Sequence, residues 1–212
     1  MPLYRTYKKD DFVVGVWKVD ETVEQLRSMF HQFSIYEEGF NRFSADKRKQ
    51  EWLAVRVLLK ELCGGEEKEI VYHPSGKPYL KDGSACVSFS HTNGYVAVAL
   101  HPSVEVGIDI EQYGTRVQRV ASRFIREDEK VSIESGDEIY ALLLHWSAKE
   151  TMFKLMDDEA VDFISHLHIL PFQPMDSGVM EACEYRSEYR QTFHIYYETH
   201  MDYVLTFARS YK

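Results

Sequence analysis

The sequence predicts an α+β fold built as two similar α/β halves with a shared active-site cleft, divided into residues 1–102 and 103–212. Three observations point there. Each half carries one long helical pattern, Ala45 to Cys63 in the first and Glu138 to Met156 in the second. Each half also holds a pair of β-branched and aromatic segments at hairpin spacing: Val87 to Phe89 with Tyr95 to Leu100, then Gln191 to Glu198 with Tyr203 to Arg209. No low-complexity stretch separates the halves, so they are expected to pack closely.

The elements follow in order. Phe12 to Val19 is apolar and β-branched enough to be a strand, and Glu21 to Phe33 has apolar residues at helical spacing. In Ala45 to Cys63, Trp52, Val55, Leu58, Leu59 and Leu62 form one stripe, and Gly64-Gly65 stops the helix. His73 to Pro78 is a turn, and Ser90 to Gly94 is expected as the loop of the first hairpin. After His101-Pro102-Ser103, Val106 to Glu111 reads as a strand, Arg116 to Arg126 as a helix and Phe163 to Leu170 as a strand. The helix spacing puts Arg116, Arg119, Arg123 and Arg126 on one face.

Composition removes several classes of function. A net charge of -9 argues against an electrostatic hold on nucleic acid or an anionic membrane. With 44% hydrophobic residues over 212, the chain has enough apolar material for a core. Cys63, Cys86 and Cys183 show no metal-binding spacing, and an odd count of thiols points to a reducing compartment. The first ten residues are too polar for a secretory signal, and no apolar run is long enough to span a bilayer. A cytoplasmic protein is expected.

The chemistry concentrates in two segments. Strand residues two apart share a face about 6.5 to 7 Å apart, so Asp109 and Glu111 can lean onto one small cation. Glu150 and Lys154 sit one helical turn apart. Three carboxylates with few other donors suit Mg²⁺, which keeps waters and takes further ligands from substrate phosphates. Either segment alone would be read as solvated acids and an ordinary helix ion pair.

Together, Val106-Gly107-Ile108-Asp109 and Trp146-Ser147-Ala148-Lys149-Glu150-Thr151-Met152-Phe153-Lys154 resemble the signature of the 4'-phosphopantetheinyl transferases. Gly76-Lys77-Pro78-Tyr79, Phe89-Ser90-His91-Thr92 and Ala121-Ser122-Arg123-Phe124 are similar to accessory motifs of the larger, single-chain Sfp-type branch. The resemblance runs from about Arg42 to Lys154 and implies two α/β halves with the active site between them. It implies transfer of the 4'-phosphopantetheine arm of coenzyme A to a serine of an apo acyl or peptidyl carrier protein, with release of adenosine 3',5'-bisphosphate.

On that reading Asp109, Glu111 and Glu150 hold Mg²⁺, Glu150 and Lys154 are catalytic, and Lys77, Ser90, His91 and Lys154 contact coenzyme A. A monomer is expected, and the arginine face becomes a candidate docking surface for an acidic carrier. The sequence does not choose among Lys47, Arg48 and Lys49 for a further phosphate contact. Nor does it decide whether Lys149 is solvated or supports its neighbours, or whether Glu150 takes the serine proton directly or through water. Thr151 departs from the Ser or Ala usual there, and the segment between Asp109 and Trp146 is slightly short. The alternatives are a coenzyme A pyrophosphohydrolase and a non-catalytic coenzyme A binding module.

Overall fold

The computed structural model describes residues 3–9, 11–129, 131, 137–156 and 160–210. It divides into two compact units, Met1–Glu105 and Val106–Lys212. Both are α+β, each setting one long helix against an antiparallel sheet.

In the first unit, strands β1 (Leu3–Lys9), β2 (Phe12–Lys18), β5 (Cys86–Thr92) and β6 (Tyr95–His101) form a sheet in the order β1-β2-β6-β5. A separate ribbon pairs β3 (Ile70–Tyr72) with β4 (Pro78–Leu80). Helix α3 (Asp46–Leu62) buries Leu53, Val57 and Leu58 with Val96 and Val98 of β6. It lies close to β2, where a Cβ on Gly15 would meet Leu58 Cδ1 at 2.9 Å. Gly64 and Gly65, at φ +69° and +94°, end it, and the Gly65 amide returns to the Lys60 carbonyl at 2.9 Å.

The helix expected over Glu21 to Phe33 is shorter, α1 (Val23–Ser28), followed by a 3-10 turn at Phe33–Ile35 and α2 (Glu37–Phe40). A capping box of Thr22 with Gln25 starts α1. The chain then leaves helical geometry so that Phe30, Phe33, Tyr36 and Phe40 can gather into one aromatic cluster, with Phe30 and Tyr36 at 4.8 Å and Phe33 and Phe40 at 5.4 Å.

In the second unit the sheet order is β7-β11-β10-β9-β8, from β7 (Val106–Gln112), β8 (Leu167–Ile169), β9 (Ser177–Glu184), β10 (Thr192–His200) and β11 (Tyr203–Arg209). Helix α5 (Glu138–Met156) crosses β7 and β11 and is buried around most of its girth, including Leu144, Ala148 and Met152. Asp137 caps it, accepting the Ile139 amide at 2.9 Å.

The expected Arg116 to Arg126 helix breaks into α4 (Arg116–Val120) and a 3-10 turn at Ala121–Arg123. The four arginines therefore do not share one helical face. Arg126 is taken up locally, donating to the Ile164 and Ser165 carbonyls and to Asp128. The expected Phe163 to Leu170 strand shrinks to β8, while β1, β3, β4 and β9 appear where no strand is expected. β1 is exposed along nearly its whole length and so has no apolar alternation, and β9 contains Gly178, Glu181 and Ala182, poor strand formers held by pairing on both edges.

No disulfide joins Cys63, Cys86 or Cys183. Among the described residues, no helix is long and apolar enough to cross a membrane.

Candidate active site

Strand alternation sends Ile108 and Ile110 to one side of β7 and Gly107, Asp109 and Glu111 to the other. That second side meets α5. A Cβ on Gly107 would stand 2.5 Å from the backbone oxygen of Thr151, so the glycine sets how near the helix can lie. Trp146, Glu150 and Lys154, each a turn apart, then run along the acidic face. At one end Trp146 Nε1 donates to Glu111 Oε1 at 2.7 Å. At the other, Lys154 Nζ donates to Ile108 O at 2.7 Å and to Asp109 Oδ1 at 2.9 Å.

A buried hydroxyl cluster keeps this register. The Thr206 hydroxyl on β11 lies 2.8 Å from Ser147 Oγ and 2.7 Å from Thr151 Oγ1, and Thr206 is the strand partner of Asp109. The threonine that departs from the usual residue type at 151 thus pins the helix to the sheet.

The acids crowd one another. Glu150 is pushed up to about 7, first by burial and then by Asp109 and Glu111, with Lys154 opposing. Burial and Asp109 also raise Glu111, against the indole and Lys154. Asp109 itself is 4% exposed. Among the described residues no group of three or more His, Cys, Asp and Glu stands ready to hold a metal ion, the side chains of Glu111 and Asp109 being turned to Trp146 and Lys154. The donor chemistry nevertheless fits a hard divalent cation, since Glu150 and Glu111, both raised by burial and by the neighbouring Asp109, would be stabilised by a positive charge shared with it.

Lys149 is not solvated: its side chain is fully buried on the far side of α5 with Glu129. The indole's role as a donor to Glu111 was hidden in the sequence, where Trp146 reads equally as helix packing. Its place one turn before Glu150 was the only local clue.

In the first unit, Ser90 and His91 belong to β5 and not to a hairpin loop, because Thr92 pairs with Tyr95 and leaves a two-residue Asn93-Gly94 turn with Gly94 at φ +78°. As adjacent strand residues they point to opposite faces. His91 Nε2 lies 3.0 Å from Arg48 Nη1, and Arg48 also pairs with Glu51 at 2.7 Å. The three basic residues of α3 therefore separate. Lys47 donates to Asn93 at 3.1 Å, Lys49 lies over the Phe40 ring, and Arg48 is the one brought to His91.

Lys77 follows Gly76, which sits at φ +85°, and pairs with Glu105 at 3.0 Å. A pocket of about 480 Å³ opens beside the Asn93-Gly94 turn. It is lined by Lys47 but also by Glu24, Asp46 and Glu51, so it does not by itself select an anion. Within the second unit, the segment expected to be short, between Asp109 and Trp146, includes residues 130 and 132–136, which lie outside the described residues.

Residues 105–208 match the family model of the 4'-phosphopantetheinyl transferase superfamily. No curated protein matches the chain.

Proposed function

Through residues 105–208 the chain belongs to the 4'-phosphopantetheinyl transferase superfamily, and from that premise we propose that it transfers the 4'-phosphopantetheine arm of coenzyme A to a serine of an apo acyl or peptidyl carrier protein, releasing adenosine 3',5'-bisphosphate. One observation carries this reading: the Trp146, Glu150, Lys154 stripe of α5 lies along the acidic face of β7, with Trp146 on Glu111 and Lys154 on Asp109.

Asp109, Glu111 and Glu150 would hold Mg²⁺, which when bound neutralises charge building on the pyrophosphate. Lys154, fixed by the Ile108 carbonyl, offers its remaining proton to a phosphate oxygen. Glu150, whose carboxyl is raised to about 7 when no metal is bound, would take the serine proton, directly or through water. The serine oxygen then bonds to the phosphorus that carries pantetheine, and the bond to the adenosine phosphate breaks toward the leaving group.

Substrate contacts are assigned to the first unit. His91, with Arg48 beside it, would take the 3'-phosphate, and Ser90 and Lys77 other parts of the nucleotide. Together with Gly76-Lys77-Pro78-Tyr79 and Phe89-Ser90-His91-Thr92, the presence of a whole unit before the matched segment supports the Sfp-type branch. A monomeric, cytoplasmic enzyme completes the reading.

Incubation of an apo carrier with the chain, coenzyme A and Mg²⁺, followed by mass spectrometry, is the direct test. A phosphopantetheine mass gain on the carrier is expected. Free phosphopantetheine instead would identify a pyrophosphohydrolase, and coenzyme A binding without turnover a binding module.

At the nucleotide end, His91→Ala should weaken coenzyme A far more than its 3'-dephospho analogue, because a charge-assisted contact to that phosphate contributes about 1.5 to 3 kcal/mol. Calorimetric titration with both ligands measures it. Equal losses would remove His91 from the 3'-phosphate.

A further inference from the structure

Lys149 precedes Glu150 by one residue and therefore leaves α5 about 100° around from the acids. Its ammonium donates to the Phe124 carbonyl at 2.5 Å, to the Phe163 carbonyl at 3.1 Å, and to Glu129 at 2.8 Å (Oε1) and 2.9 Å (Oε2). Glu129 is filled from the other side by the amides of Arg126 and Ile169, each at 2.8 Å. One ion pair with no exposed surface thus ties the segment after the 3-10 turn, the segment before β8, and β8 itself to a single point on α5.

Burying two charges is costly, and an apolar pair of similar volume would hold three segments as well or better. The identity of the two clamped carbonyls suggests what the polar pair adds. They belong to Phe124 and Phe163, the two residues whose rings flank Trp146, at 5.2 Å and 62° and at 5.5 Å and 44°. Trp146 is the residue that donates to Glu111. Directional hydrogen bonds to the backbone fix where those rings stand in a way that apolar contact does not. An unbroken physical path therefore runs from Lys149 through the two phenylalanine backbones and rings to the indole, and from the indole to the acid.

We propose that Lys149, with Glu129 as its counter-ion, is a positioning residue that fixes the Phe124 and Phe163 clamp and thereby aims Trp146 at Glu111, without itself touching substrate. Its importance for transfer rests on the function proposed above; the clamp does not.

The test removes the ion pair without leaving a lone buried charge. Lys149→Met/Glu129→Gln takes away both charges and keeps an acceptor for the Ile169 amide. Phe163→Leu, at a half-buried ring, leaves the ion pair whole and thins the clamp. The ¹⁵N-labelled indole resonance of Trp146, assigned by its loss in Trp146→Phe, reports the hydrogen bond to Glu111. Calorimetric titration with Mg²⁺ alone reports the acids.

In both folded variants the Trp146 resonance should shift toward that of a weakly bonded indole. Because residues that orient ligand acids typically contribute 10- to 100-fold, the Mg²⁺ Kd of the double variant should rise about tenfold and its kcat fall about tenfold, with the KM for coenzyme A unchanged. Adding Trp146→Phe to the double variant should change Mg²⁺ affinity by no more than about twofold further, since both act through one acid.

An unmoved indole resonance in either folded variant overturns the proposal, and so do defects that sum in full with Trp146→Phe. A wild-type chain that modifies no carrier, while the indole still shifts in the variants, overturns the proposed function and upholds the clamp.

Discussion

Glu150→Gln is expected to lower transfer by roughly 100-fold or more in saturating Mg²⁺, because the change removes a ligand charge and the proton acceptor together. The same substitution should make the metal-free protein more stable at pH 8. Glu150's carboxyl is raised from 4.5 to about 7 in the folded state, chiefly by burial and by Asp109. The folded chain therefore holds this proton more tightly than the unfolded chain, and stability falls as pH rises from about 4.5 through 7. Above that range the full penalty, on the order of 3 kcal/mol, is present, and a neutral glutamine escapes it.

Thermal unfolding in a chelator at pH 4 and pH 8 checks the sign. The melting temperature of Glu150→Gln should exceed that of the unsubstituted chain at pH 8 and match it at pH 4. A variant less stable at pH 8 would mean that the acids do not crowd as described. A folded variant with near-normal transfer would remove Glu150 from the chemistry altogether. An acid that weakens the resting fold and is needed for turnover fits a site arranged to receive positive charge.

Gly107→Ala carries the second large effect, through packing. The new methyl would lie 2.5 Å from the Thr151 carbonyl and 3.0 Å from Leu155 Cγ. The first of these is helix backbone, which cannot turn aside as a side-chain tip would. α5 must move away from β7, and the Thr206 hydroxyl contacts to Ser147 and Thr151 loosen with it. A loss of about 2 to 3 kcal/mol is expected, the upper range for overpacking a close contact.

Gly114→Ala, where a Cβ would meet nothing within 4 Å, is the matched control and should change stability by less than about 0.5 kcal/mol. Calorimetric or denaturant unfolding of both variants decides it. Equal stabilities would show that the helix is not held at the glycine's distance.

Much of the candidate site was legible because it lies in local spacing. Asp109 and Glu111 sit two apart on a strand, and Glu150 and Lys154 four apart on a helix; both periods are properties of the backbone, so facing groups can be read without a fold. The bounds of α5, Glu138 to Met156, follow from a long apolar run, and β10 and β11 from β-branched and aromatic pairs. The structure departs from the sequence expectation where the local signal is weak or ambiguous. The break after Val120 is invisible in a spacing of arginines, and Ser90 and His91 read as loop because polar residues crowd the end of β5.

By itself the sequence determined that the chain is α+β and which side chains of β7 and α5 are the candidates for its proposed chemistry. Only the tertiary structure decided which of those side chains meet. Trp146 reaches Glu111 across 35 residues, Lys149 reaches Glu129 across 20, and Arg48 is chosen over Lys47 and Lys49 by His91, 43 residues away. Such pairs depend on how closely a helix approaches a strand and on which face the packing buries. Those are set by the whole core and by single contacts such as Gly107 against Thr151, and no periodicity along the chain encodes them.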